Sequence, residues 1–216
     1  MTLKISINHN TFILHCTGAM YWAEKKMLLI SDVHLGKVSH FRKHGSALPD
    51  RAKFKNFAKL DAVTQFFKPE SICFLGDLFH SKVNNEWELF SDWALQVKIP
   101  LVLVAGNHDI IAPMHYEALG ISVCSESITG GFLLTHHPEE REGLFNLSGH
   151  IHPGVRLEGF GRQFLKLPCF FYTPQQMILP AFGEFTGMYL LEPAEHTVIY
   201  AITKEDVVKV EVKEQQ

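Results

Sequence analysis

Three apolar runs, Lys26 to Ile30, Ser71 to Leu75 and Pro100 to Ala105, each pass straight into a short polar segment: Ser31-Asp32-Val33-His34, Gly76-Asp77 and Gly106-Asn107-His108-Asp109. Short apolar runs bounded by Gly, Asn and Asp read as buried strands that end in tight loops. Between them stand two segments of helical spacing. Asp50 to Phe67 sets Phe54, Phe57, Leu60 and Val63 on one face, with Pro49-Asp50 as its start and Pro69 just past its end. Asn85 to Val97 gathers its tryptophans and leucines on one side. Strand, helix, strand, helix, strand in this order predicts an α/β sheet whose ligands sit outside the carboxyl ends of the strands.

The flanks read differently. Lys4 to Ile7 and Thr11 to Cys16 form the short strands of a hairpin. After Gly120 come short alternating runs, Gly131 to Thr135, Phe145 to Ser148, Gln163 to Leu167, Met177 to Leu179, Met188 to Leu191 and Thr197 to Ile202, so the second half is expected to be mostly strand. From Lys204 onward the charge content is that of a frayed end. No repeat, low-complexity tract or long polar linker divides the 216 residues, which predicts a single domain over 1–216.

With 46% hydrophobic and 20% charged residues the chain has the apolar content a packed core needs, which excludes general disorder. A net charge of −3 argues against wholesale electrostatic binding of nucleic acid. The charge is unevenly placed, however: Lys37 to Lys59 holds seven basic residues against the single acidic Asp50. Such a segment is either a solvated helix face or a hold on a phosphate backbone beside a site. No stretch has the length and apolarity of a membrane span or a leader, so a cytoplasmic location with no membrane partner is expected. Cys16, Cys73, Cys124 and Cys169 are widely spaced and form no CxxC pair, which predicts reduced thiols.

Two later segments, Thr135-His136-His137 and Gly149-His150-Ile151-His152, bring the polar strand-end clusters to five. Asp, Asn and His are the oxygen and nitrogen donors that hard to borderline divalent cations accept, and the absence of cysteine among them disfavours a structural zinc site. Asp32 and His34 are two apart, as are His150 and His152, so in extended backbone each pair points one way. Of the adjacent His136 and His137, extended backbone would bring only one to the metals. His80, in Gly76-Asp-Leu-Phe-His80, either lines the pocket or caps a loop, while His9, His15, His115 and His196 read as ordinary surface or half-buried residues. Lys37, His40, Arg42, Lys43 and His44 follow the first pair, where a loop would overhang the site and Lys37 or Arg42 would meet a phosphate.

In this order the five segments resemble the calcineurin-like metallophosphoesterases, whose pattern is DxH, GD, GNH(D/E), a His, then GHxH. The match runs from Asp32 to His152 without a missing ligand. The resemblance implies one metal held by Asp32, His34, Asp77 and His152, and a second by Asp77, Asn107, His136 and His150. Asp77 would bridge them, and a hydroxide between the metals would attack the phosphodiester. It selects His136 over His137 by spacing. It also implies that His108 faces the substrate and stabilises or protonates the leaving oxygen, with Asp109 orienting it. The implied fold is two packed mixed β-sheets flanked by helices, with a dinuclear site at the loop edge. Two cations about 3.5 to 4 Å apart steady both the attacking and leaving oxygens of an in-line displacement. Manganese is the first expectation for both, with iron, zinc and nickel compatible with the same donors.

Within that family the stretches Leu28 to Gly45, Leu75 to Ser81, Ser148 to Leu157 and Leu167 to Gly187 are similar to the bacterial ligase-associated DNA damage response phosphoesterases, the PdeM type. That resemblance implies a DNA phosphodiesterase or endonuclease working beside a ligase, a helicase and a second nuclease in repair. A small-molecule phosphodiesterase or nucleotide pyrophosphate hydrolase uses the same metals and is the alternative. A scaffold that has lost catalysis is a further reading, which the complete donor set disfavours.

Overall fold

The computed structural model describes residues 1–37, 54–80, 85–159, 161 and 163–210. Among these residues the strands form two sheets. The first is β1 (Thr2–Ile7), β2 (Asn10–His15), β3 (Met20–Trp22), β4 (Met27–Ile30), β5 (Ser71–Phe74), β6 (Leu101–Val104) and β7 (Ile121–Cys124), side by side in chain order. From β1 to β4 it is an antiparallel meander, and from β4 to β7 it is parallel. Parallel neighbours need crossovers. Helix α1 (Phe54–Phe67) links β4 to β5 and α2 (Asn85–Val97) links β5 to β6, as the helical spacing predicts. The expected helix start at Pro49-Asp50 lies outside the described residues. A short α3 (Pro113–Glu117), opened by proline, precedes β7.

The second sheet comprises β8 (Ser127–Thr129), β9 (Phe132–Leu134), β10 (Phe145–Ser148), β11 (Pro153–Glu158), β12 (Phe164–Tyr172), β13 (Gln176–Ile178), β14 (Tyr189–Leu190), β15 (Val198–Ile202) and β16 (Val207–Val210). Its order is β14-β11-β12-β13-β10-β9-β8, with β15 on β12 and β16 on β15. It is mixed: β9, β10 and β13 run parallel, and β11 and β12 form an antiparallel hairpin. The frayed tail expected from Lys204 is corrected here. Val207–Val210 pairs with β15 because branched side chains suit a pleated surface and Val207 is buried there.

The sheets pack face to face over Phe12, Leu14, Trp22, Leu29, Phe132, Leu147 and Phe170. On the outer face of the first sheet, α1 and α2 bury Phe57, Leu60, Val63, Phe90 and Trp93 against Leu28, Ile30, Ile72 and Phe74. Leu95 departs from the expected apolar side of α2 and is 61% exposed. Single exposed leucines of this kind are ordinary. The four cysteines are free thiols. Among the described residues no helix is long and apolar enough to cross a membrane.

Candidate metal centre

β4, β5 and β6 stop level with one another and release Asp32, Asp77 and Asn107 at one edge of the first sheet. β9 and β10 deliver His136 and His150 to the same edge from the second sheet. Asp32, His34, Asp77, His150 and His152 all have positive φ, between 50° and 68°. That region costs free energy for residues with a side chain and is held only where surroundings insist on it. The expectation that Asp32/His34 and His150/His152 converge through strand alternation is therefore corrected: they converge through left-handed loops beyond the strands.

Several groups hold the first loop in this shape. Phe182 and Gly183 donate backbone N–H bonds to the carbonyls of Ser31 and Asp32, at 2.9 and 3.0 Å. Asn56, buried on α1, donates to the Val33 carbonyl at 3.2 Å and accepts from the Glu184 amide at 3.0 Å. Buried Glu86 on α2 accepts from the Gly36 amide at 2.8 Å. The run Leu167 to Gly187, outside the generic ligand pattern, thus includes the underside of the Asp32 loop. Asn56 and Glu86 were not foreseen, although each is a polar residue on a helix at a buried position.

Three donor clusters touch one another: Asp32, His34 and His152; Asp32, Asp77 and His136; His136, His137 and His150. In the first, Nε2 of His152 is 3.1 Å from Asp32 Oδ1 and 3.3 Å from Nε2 of His34. Asp77 points one oxygen to each side: Oδ2 is 3.8 Å from His34 Nε2, and Oδ1 is 3.4 Å from His136 Nε2. His136 Nε2 also lies 3.1 Å from Asn107 Oδ1 and 3.2 Å from His150 Nδ1. Its Nδ1 faces the Leu75 carbonyl at 2.9 Å. A carbonyl only accepts, so a neutral His136 carries its proton on Nδ1 and turns a lone pair toward carboxylate, amide oxygen and imidazole. Such a gathering of acceptors could hold a cation, and the donor set fits divalent metals.

The electrostatics agree. Burial pushes the His34 imidazole down to about 3, against the pull of Asp32. Burial and the neighbouring His137 and His136 also lower His150. Burial alone would raise the Asp32 carboxyl, but His152, His136 and His34 outweigh it and hold it low. Neutral imidazoles and an ionised carboxylate are the ligating forms. Lys37 is close enough for Asp32 and Asp77 to act on it, although burial, the larger effect, lowers its ammonium. Arg42, the other expected phosphate contact, lies outside the described residues, as do His40, Lys43 and His44.

His108 donates its backbone N–H to Asp77 Oδ1 at 2.9 Å, and its half-exposed ring stacks on His80 at 4.9 Å. The His80 and His108 rings are 5.5 and 5.7 Å from that of His34, so His80 stands beside the ligands. Asp109 is engaged with the backbone through both carboxylate oxygens. Its Oδ1 accepts from the Phe79 amide at 3.1 Å and its Oδ2 from the Gly106 amide at 2.8 Å, which ties two ligand loops together. Burial pushes this carboxyl up to about 6 despite those bonds. His137 also departs from expectation: the chain bends at His136 and His137, and both rings approach His150, at 4.9 and 4.0 Å. Alternation applies only to extended backbone.

Two packed sheets with Asp, Asn and His donors converging at a loop edge define a metal-dependent phosphoesterase. Residues 25–157, more than half of the chain, match the calcineurin-like phosphoesterase family, and the chain belongs to that family. A solved structure, the nuclease MPE of Pseudomonas putida, is 28% identical over 97% of this chain and 100% of its own, with a TM-score of 0.80. The E. coli phosphoesterase YfcE is 14% identical over 85% of this chain and 97% of its own, with a TM-score of 0.44. Comparison with curated proteins gave no match.

Proposed function

We propose that this phosphoesterase is a DNA phosphodiesterase, an endonuclease of DNA repair, that works with two divalent cations. The observation that carries the dinuclear reading is the division of Asp77, one oxygen toward His34 and the other toward His136. Asp32, His34, Asp77 and His152 would hold one ion, and Asp77, Asn107, His136 and His150 the other. Manganese is the first candidate for both. Bound there, the ions would neutralise phosphoryl oxygens and lower the pKa of water.

The chain's own groups divide the remaining work. His108, stacked on His80 and open to solvent, would meet the leaving oxygen and supply its hydrogen bond or proton. His80 would hold that ring in place. Lys37, beside the two carboxylates, would pair with a phosphoryl oxygen. Asp109 keeps the loops of Asp77 and Asn107 in register. A nucleic acid is favoured as substrate by the full-length likeness to a bacterial nuclease, and DNA is the form this reading takes. Association with a ligase, a helicase and a second nuclease belongs to the same reading.

The test is cleavage of circular single-stranded DNA and of bis(p-nitrophenyl) phosphate by manganese-loaded protein, with Asp77→Ala and His108→Asn variants prepared in parallel. Loss of DNA cutting in both variants is expected. Hydrolysis of the small diester with DNA left intact would replace the nuclease by a small-molecule phosphodiesterase. No reaction with any of the four metals would point to a scaffold.

A further inference from the structure

β10 runs toward the metal edge and releases His150 there. It is parallel to β13, which is antiparallel to β12, which is antiparallel to β11. β11 therefore points the same way as β10, yet begins only after His152, where β10 has already ended. The β11–β12 hairpin must extend past the edge that holds the ligands. Burial follows this course: Pro153 to Val155 are covered, whereas Arg156, Glu158, Phe164, Leu165 and Lys166 are exposed.

The register decides which side chains overhang the site. Gly154 lies opposite Pro168, Arg156 opposite Lys166 and Glu158 opposite Phe164, so these six share one face. Two residues further along β12, that face carries Phe170, buried between the two sheets. Arg156, Lys166 and Phe164 thus continue the inner face outward, on the side toward the ligand loops. Arg156 is four residues beyond His152, about 13 Å of extended chain. It is placed for a neighbouring phosphate of a strand rather than for the one at the metals.

Two cations directly opposite each other across a strand pair destabilise a hairpin. The acid in range, Glu158 at 3.5 Å from Arg156, is itself 77% exposed and a weak partner. Both cations flank an aromatic ring: Phe164 is 55% exposed, with the Arg156 guanidinium 4.6 Å and the Lys166 ammonium 5.8 Å from its centroid. Between this group and His152 the face is apolar, because the Met188 side chain occupies the space a side chain at Gly154 would need. Cations spaced by an apolar floor and an exposed ring match a single strand, with phosphates for the charges and bases for the ring.

We propose that the inner face of the β11–β12 hairpin is a strand-binding arm, in which Arg156 and Lys166 hold phosphates adjoining the cleaved bond and Phe164 stacks on a base. This rests on the reading of the substrate as DNA.

The experiment compares wild-type protein with Arg156→Ala/Lys166→Ala and Phe164→Ala, all metal-loaded, on circular single-stranded DNA over a range of salt and on bis(p-nitrophenyl) phosphate. The double variant is expected to raise KM for DNA about tenfold with kcat little changed. It should also flatten the slope of log kcat/KM against log salt by about 1.4, the value for two single-strand phosphate contacts. Phe164→Ala should raise KM and leave the slope alone. Small-diester hydrolysis should match wild type in both, since that substrate ends short of the arm. DNA kinetics and salt slope equal to wild type would overturn the arm while leaving the nuclease standing. Loss of small-diester turnover in the variants would overturn it too, by placing the residues in support of the metal site. A wild-type protein that hydrolyses the diester but spares DNA would remove the nuclease reading, and the arm with it.

Discussion

The α-carbon of Gly76 lies against the imidazole of His136 so closely that a side-chain carbon built on it would overlap ring atoms Nδ1 and Cγ. Gly106 stands in the same relation to the Asp77 carboxylate, and Gly149 to that of Asp32. Each glycine just before a candidate donor therefore makes room for a different one of the candidate donors.

Gly76 also has φ 82°, so Gly76→Ala meets both an unfavourable backbone and a collision. The expected cost is about 3 kcal/mol, or roughly 10 °C in Tm for a chain of this size. Metal content should also fall, because His136 must shift. Calorimetry and elemental analysis of the purified variant check both; an unchanged Tm with full metal occupancy would show that the loop relaxes freely.

The glycines also show where sequence reading stops. That Gly76, Gly106 and Gly149 precede candidate donors is visible in the chain, but which side chain each must clear is a tertiary fact. The same divide runs through the fold. β4, β5 and β6 are legible because apolar runs end in polar loops, and α2 because its periodicity spans three turns. β3, β7, β8, β11 and β16 escaped notice: runs of three or four residues are too few for a pattern, Pro153-Gly154 reads as a turn, and Val207–Val210 follows charged residues. At the site, residue types were enough to collect Asp32, His34, Asp77, Asn107, His136, His150 and His152. The left-handed loops were not legible, so the geometry that predicted only one of His136 and His137 near the centre was that of a strand that does not exist there.

Metal removal should be visible in stability. Asp32, Asp77 and His136 bring two carboxylates and a lone pair together under almost complete burial, which the metal-free protein must bear unaided. Manganese at one hundred times its Kd should stabilise by about 2.7 kcal/mol, a rise of roughly 8 °C. Asp77→Asn keeps an oxygen for the His108 amide but removes a charge, so it should melt no lower than metal-free wild type and gain little from manganese. Thermal melts with chelator and with metal test this; equal melting of loaded and stripped wild type would count against a built site.

Acid sensitivity should trace partly to His15, which is not one of the donors of the centre. Burial lowers its imidazole from 6.5, helped by the N-terminal ammonium and Lys59. Its Nδ1 accepts from the Thr17 amide at 3.1 Å, and its ring packs on Phe66 and Phe67. The unfolded chain binds this proton more readily, so the contribution is full above pH 6.5 and is lost as pH falls toward the lowered folded value. His15→Asn keeps an acceptor and removes the titration. Between pH 7.5 and 5.5 wild type should lose up to about 1.4 kcal/mol more than the variant in urea unfolding. Parallel losses would assign the acid limb to other groups.

Thiol chemistry should sort the cysteines by burial. Cys73 and Cys169 are enclosed, and burial pushes both thiols up, Cys169 to about 12. Cys16 and Cys124 are half-buried. The thiolate is the reactive form, so in native protein at pH 8 a disulfide reagent should leave Cys73 and Cys169 untouched while it slowly modifies the other two. Peptide mapping after labelling reads this directly, and early labelling of Cys73 would contradict the packing of the two sheets around it.

Asp109 and His108 are adjacent, and their variants should fail in different ways. Both Asp109 oxygens accept backbone N–H bonds, from Phe79 and Gly106. Asn offers one oxygen and one NH2, so Asp109→Asn sets a donor against a donor in a covered position and should cost about 1 to 3 kcal/mol. His108 contributes a half-exposed ring that stacks on His80, and His108→Asn should change stability by no more than about 0.5 kcal/mol. Its kcat should nevertheless drop about 10² to 10⁴-fold if it serves the leaving oxygen. Unfolding midpoints and kcat measured on both variants separate a clamp from a catalyst. Should Asp109→Asn keep wild-type stability and share the kcat loss of His108→Asn, the carboxylate orients the histidine after all, and the two backbone bonds are incidental.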